Sequence, residues 1–135
     1  MSKKKIKIRY IIFVLIIIGI VVFVGKITKL DDLNAEKVTE IILVSPPYKK
    51  RITDRQEIEE FTSLFNERKK PVFSIINSSG WSKRAIITTE TYQYDIIFCG
   101  ENITVNRQKY VMDESIDSEL EQFYRFLNET EEKYN

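Results

Sequence analysis

Histidine is absent from this sequence, and cysteine occurs once, as Cys99. The first absence removes the usual neutral-pH general base and every His-containing metal set. A lone cysteine forms no internal disulfide, and its thiol has no imidazole beside it to draw off the proton. Glycine is scarce, at 4 residues, and no glycine-rich phosphate loop, internal repeat or low-complexity segment is visible. Acidic residues are missing from positions 1–30, which hold seven Lys or Arg. Positions 31–135 hold fourteen bases and twenty acids, a net of −6. An acidic body argues against nucleic acid as a partner, because such binding neutralises phosphates.

The start reads KKKIKIRYIIFVLIIIGIVVFVGKITK. Residues 10–25 carry no charge and lie between Arg9 and Lys26. At about 1.5 Å per residue that core covers roughly 24 Å of a hydrocarbon layer ~30 Å thick. Ile8 and Ile27 extend it, since Arg9 and Lys26 can carry their charges outward on long stems. A lipid bilayer is therefore the expected partner of residues 8–27. A cleavable signal, the alternative, wants a small-x-small site. Here the block ends VVFVGKITKL, and no cysteine follows it for lipid attachment. A buried core helix is disfavoured, because all faces are apolar. The block is thus read as a retained anchor. Lys3, Lys4, Lys5, Lys7 and Arg9 precede it, against Lys26 and Lys29 after it. The positive side stays cytoplasmic, which puts the N-terminus inside and the C-terminal domain outside a cell membrane crossed once. Gly19 and Gly25 form no G-x-x-x-G pair for helix dimerisation.

Three regions are expected: a basic tip and anchor over 1–27, a tether over 28–36, and a domain over 37–135. In the domain, VTEIILV (38–44) reads as a strand ended by Pro46 and Pro47. ITDRQEIEEFTSLFNERKK reads as a helix, with Thr53 or Asp54 as N-cap and Gln56 or Glu57 completing a capping box. Its apolar stripe is Ile58, Phe61, Leu64 and Phe65, and Arg68, Lys69 and Lys70 close it before Pro71. Strands follow at 71–77, 81–90 and 92–100, with a turn at 77–80 and a short hairpin over 102–112. In the third strand Tyr92, Tyr94, Ile96 and Phe98 share one face and Gln93, Asp95, Ile97 and Cys99 the other. SIDSELEQFYRFLNETEEK reads as a closing helix with Ile116, Leu120, Phe123, Tyr124 and Leu127 on one side and Ser118 with Glu121 as capping box. The predicted fold is α+β, two-layered, an antiparallel meander with two helices on one face, in the order β-α-β-β-β-(β)-α.

Ile52, Thr53, Asp54, Glu57 and Ile58 opening the first body helix, the YDIIF strand and the SIDSELEQFYRFL end together give a familiar layout. The chain resembles small single-span or lipid-anchored extracytoplasmic proteins of low-GC Gram-positive bacteria. That resemblance covers most of the body and implies topology and location. It transfers no catalytic or binding residue, since those families are of unknown function.

Cys99 is read as a half-buried strand cysteine, with a nucleophile as the alternative. Asp31-Asp32, Glu59-Glu60, Asp113-Glu114 and Glu131-Glu132 are read as solvated surface, since neighbours along a helix do not converge and no EF-hand spacing accompanies them. No metal or cofactor is expected. Candidate binding residues are Trp81 with Lys83 and Arg84, since Trp and Arg are over-represented at binding hot spots, and Lys49, Lys50 and Arg51, a basic triplet. Arg68, Lys69 and Lys70 form a second basic triplet. Asn77, Asn102 and Asn128 begin N-x-S/T sequons at chance frequency. The expected function is binding without catalysis. The partner is another envelope protein, a peptide or an anionic polymer. Alternatives are an immunity or inhibitor protein at the cell surface, a carboxylate-based envelope hydrolase, and a single-span accessory subunit whose anchor packs with a larger membrane complex.

Overall fold

The computed structural model describes residues 3–28, 30–67, 72–73, 80–112 and 114–135. The chain divides into two compact units, Met1–Leu30 and Asp31–Asn135. The first is one helix, α1 (Lys3–Thr28), whose described side chains are all exposed. Its 21-residue stretch Lys3–Phe23 is long and apolar enough to cross a membrane. At about 1.5 Å per residue such a stretch is roughly 32 Å long, one hydrocarbon thickness.

The second unit is the α+β domain. Its strands are β1 (Val38–Ser45), β2 (Tyr48–Ile52), β3 (Val72–Phe73), β4 (Lys83–Thr89), β5 (Gln93–Cys99), β6 (Asn102–Val105), β7 (Gln108–Val111) and β8 (Glu131–Lys133). They form one eight-stranded sheet in the order β3-β7-β6-β5-β4-β1-β2-β8, and each pairing is antiparallel. The helices α2 (Arg55–Asn66) and α3 (Asp117–Phe126) cover one face. Phe61 of α2 meets Phe123 of α3 with ring centroids 5.9 Å apart, and Phe65 lies edge-on to Phe98 of β5 at 6.4 Å.

Register explains the core. Directly opposed residues share a face, so Ile52, Ile41, Ile87 and Tyr94 form one row, and Leu43, Ala85, Ile96 and Val105 another. Of these, Ile41, Leu43, Ile52, Ala85, Ile87 and Ile96 have essentially no exposure. Val38 breaks the strict alternation yet is equally buried, because the β1–β4 register shifts between Val38 and Glu40. A bulge with one extra residue lets Val38 and Ile41 point the same way.

Two parts of the meander were not foreseen. Pro46 and Pro47, joined by a cis peptide bond, do not end the sheet but turn it, and Ser45 pairs with Tyr48 across them. YKKRI is therefore β2, a strand hidden by its three cations. The final helix is shorter than its apolar pattern suggested. α3 stops at Phe126, Leu127 is extended, and residues 131–133 pair with β2 as an edge strand whose side chains are all exposed. Its start also differs: Ile116 is the N-cap and makes no side-chain cap, so Ser118 lies inside the helix. Ser115 Oγ accepts from the Asp117 amide at 3.2 Å instead. Of the capping box expected for α2 the Asp54 half is present, its side chain accepting from the Glu57 amide at 3.0 Å. Of the expected strand at 71–77, the backbone of Val72 and Phe73 pairs with β7. The rest of that strand, the turn residues 77–79, and Arg68, Lys69, Lys70 and Asp113 lie outside the described residues.

The expected tether is part of the domain from Leu33 onward. Leu33 is 9% exposed, and Asn66 at the end of α2 both accepts from its amide (2.9 Å) and donates to its carbonyl (2.7 Å). Asn34 then caps the single 3-10 turn Ala35–Lys37 that leads into β1.

The β6–β7 hairpin turns through Asn106 (φ 48°) and Arg107 (φ 71°), both left-handed. That is the type I′ pattern matching the twist of paired strands. Asn106 suits it and is held by its side chain, which accepts from the Asp95 amide at 2.8 Å and donates to the Tyr92 hydroxyl at 2.9 Å. Arg107 has no such compensation in its backbone preference. Arg107→Gly is expected to raise stability by about 1 kcal/mol. Thermal unfolding of the detergent-solubilised full chain, followed by circular dichroism, checks this.

Candidate interaction surface

The alternation that builds the core also sorts the candidate binding residues. Lys50 lies opposite Leu43, and Lys83 opposite Phe98, so both point to the helix-covered side. Each is about 8% exposed. Lys50 Nζ donates to the carbonyls of Tyr124 (2.8 Å) and Leu127 (3.2 Å) and sits 4.6 Å from the Tyr124 ring centroid. It adds a cation at the C-terminus of α3, where a positive charge is favoured, and shares the Tyr124 carbonyl with the Leu127 amide (3.3 Å). Lys83 Nζ pairs with Glu121 Oε2 at 2.7 Å. Lys83 first, and Arg125 second, hold the Glu121 carboxyl below the usual range.

Lys49, Arg51 and Arg84 fall on the other, helix-free side. Arg84 Nε and Nη2 donate to the two carboxylate oxygens of Asp95 at 2.8 and 2.7 Å, and Nη1 donates to the Tyr134 hydroxyl at 2.7 Å. The Asp95 hydrogen bonds are the main reason its guanidinium is held charged more firmly than usual. Arg51 pairs with Glu40 at 2.6 Å, and Lys49 stands directly opposite Glu132. Between these charges lie Ile42 and Ile86, directly opposed, with Ile97 opposite Arg84. All three isoleucines are partly exposed. Trp81 meets Tyr134 edge-on at 6.1 Å. Through the Tyr134–Arg84 hydrogen bond the aromatic pair roofs one end of this face, where Val44 opposes Arg84 and is fully buried.

No protein-family model matches the chain, and no curated protein or solved structure is significantly similar to it.

A second feature, missed from the sequence, is a groove of about 360 Å³ between the start of α2 and the end of α3. Asp54, Glu57, Glu60, Phe123, Phe126 and Leu127 line it. Phe126 is 80% exposed at its mouth. Glu57 Oε2 is buried without a donor. Burial first, then the neighbouring Glu129 carboxyl, push the Glu57 carboxyl up to about 7. Among the described residues no group of three or more His, Cys, Asp or Glu is arranged to hold a metal. Only spatial proximity of separated segments brings Glu57 and Glu129 together, so spacing could not have disclosed it. Cys99, on the helix-free side of β5, is partly exposed.

Two measurements follow. Glu57 binds its proton more tightly in the folded than in the unfolded chain, so stability falls as pH rises from the ordinary carboxyl range through about 7. Glu57→Gln keeps the shape without the charge. Thermal melts should show a flatter stability profile across that window and a higher melting temperature than wild type at about pH 8. Lys50→Ala, by contrast, takes the lysine donor from the Leu127 carbonyl and leaves the Tyr124 carbonyl only the Leu127 amide at 3.3 Å, and is expected to cost about 2 kcal/mol, read as a lower denaturation midpoint.

Proposed function

We propose that this protein is a single-pass membrane-anchored domain, with the N-terminus cytoplasmic and the body extracytoplasmic, that binds a partner without catalysing a reaction. The helix-free face of the sheet is its working surface. The observation carrying this reading is the partly exposed Ile42–Ile86–Ile97 patch, bordered by ion pairs and closed at one end by Trp81 and Tyr134. Aromatic and arginine side chains beside exposed aliphatic surface are the usual makings of a protein contact. An anionic polymer is the weaker choice of partner, because Arg51 and Arg84 already hold carboxylates and Lys49 faces Glu132. The five-to-two excess of Lys and Arg before the anchor supports the orientation.

One observation favours a second reading, a carboxylate-based envelope hydrolase. Glu57 titrates near neutrality in a groove that also holds Asp54 and Glu60. Asp54, however, is committed to capping α2.

A C-terminal epitope tag tests location. In intact cells, added protease should remove the tag while a cytoplasmic marker survives. A protected tag, beside an outer protein that is cut, would reverse the orientation. Crosslinking in the same cells should lose its adducts on Ile86→Arg and keep them on Glu57→Gln. The opposite pattern would favour the groove.

A further inference from the structure

We infer that the occupant of the helix-free face is a second copy of this chain, packed face to face as a two-sheet sandwich. This rests on the reading of that face as the working surface and names its partner. Three observations converge on it.

The first is charge. The face carries Lys49, Arg51, Arg84 and Lys109 against Glu40, Asp95 and Glu132, and is close to neutral. The opposite layer is not: α2 and α3 each carry three acids and one base. Two bodies approaching helix side to helix side repel, whereas two helix-free faces approach without that cost.

The second is polar satisfaction. Arg84 spends three donor groups on Asp95 and Tyr134, and Glu40 holds Arg51. The Arg84–Asp95 and Arg51–Glu40 pairs bordering the isoleucines are satisfied within the same chain, which lowers the cost of covering them. What is left to gain is burial of Ile42, Ile86 and Ile97. A two-fold axis near Ile86 sets each aliphatic patch on its counterpart, as a self-complementary interface requires.

The third is area. Six strands from β2 to β7, four to eight residues each and about 18 Å long on average at ~4.8 Å spacing, present roughly 500 Å² per copy. Two copies then bury roughly 1,000 Å², the lower bound for a specific interface. Aligned sheet packing at about 10 Å separation suits a twisted antiparallel face of this size. Anchoring both copies in one membrane raises their effective concentration, so a modest interface suffices.

The test uses the full chain in membranes and in detergent. In a Cys99→Ser background, Ile86→Cys should give a disulfide-linked dimer on mild oxidation of native membranes. Glu59→Cys, on the exposed side of α2, should not. In detergent, light scattering should report a dimer whose dissociation constant Ile86→Arg raises at least about tenfold with the melting temperature kept. Should Ile86→Arg fail to fold, Arg51→Glu at the exposed rim places two acids side by side and should weaken the dimer about tenfold. A monomer at every concentration overturns the proposal, as does a dimer indifferent to both substitutions, which would belong to another surface. If the chain is monomeric while Ile86→Arg still abolishes crosslinks to a different protein, the partner assigned here is wrong and the surface stands. If Ile86→Arg changes neither, the surface falls too.

Discussion

β1 and β4 pair antiparallel at the middle of the sheet, setting Ile41 against Ile87 and Leu43 against Ala85. Every other strand takes its register from this pair, because side chains alternate with a period of two and a slip of one residue would turn the whole core outward. Helices α2 and α3 can cover only one of the two resulting faces. Which face a residue joins therefore decides whether it packs, caps or meets solvent. The bulge near Thr39 is the one adjustment in β1, and it returns Val38 to the buried side.

Charge is distributed by the same rule. The triplet Lys49-Lys50-Arg51 looks uniform along the chain but is divided in space. Lys50 enters the layer between sheet and helices and holds the open end of α3, while its neighbours emerge on the far side beside acids of adjacent strands. Trp81, Lys83 and Arg84 are divided likewise, with Lys83 turned toward Glu121 and Arg84 toward Asp95. The result is an acidic helical layer and a nearly neutral sheet face. A polar body can thus offer an aliphatic patch flanked by the Arg51–Glu40 and Arg84–Asp95 ion pairs.

Much of this architecture was legible in the residues. The apolar stripe of α2, its Asp54 cap, the alternation of β5 and the short β6–β7 hairpin all follow from local chemistry. β2 was hidden because a buried lysine resembles a solvated one until its partners are known. β8 was hidden because Glu131–Lys133 has no apolar face, and its strand character comes wholly from pairing with β2. The end of α3 was hidden because the apolar spacing runs on to Leu127, while Lys50, distant in the chain, caps the carbonyls where the helix stops.

The sequence by itself determined an uncharged block long enough to span a bilayer, the α+β class and the positions of the apolar stripes. Those properties depend on composition and on spacing within one segment. Tertiary structure alone decided which of the six candidate side chains share a surface, since that depends on strand register between segments far apart. It also decided that Glu57 meets Glu129 in a groove and that Tyr134 reaches Arg84. Contacts of this kind carry no signature in local sequence, because neither partner differs from an ordinary surface residue until the chain folds.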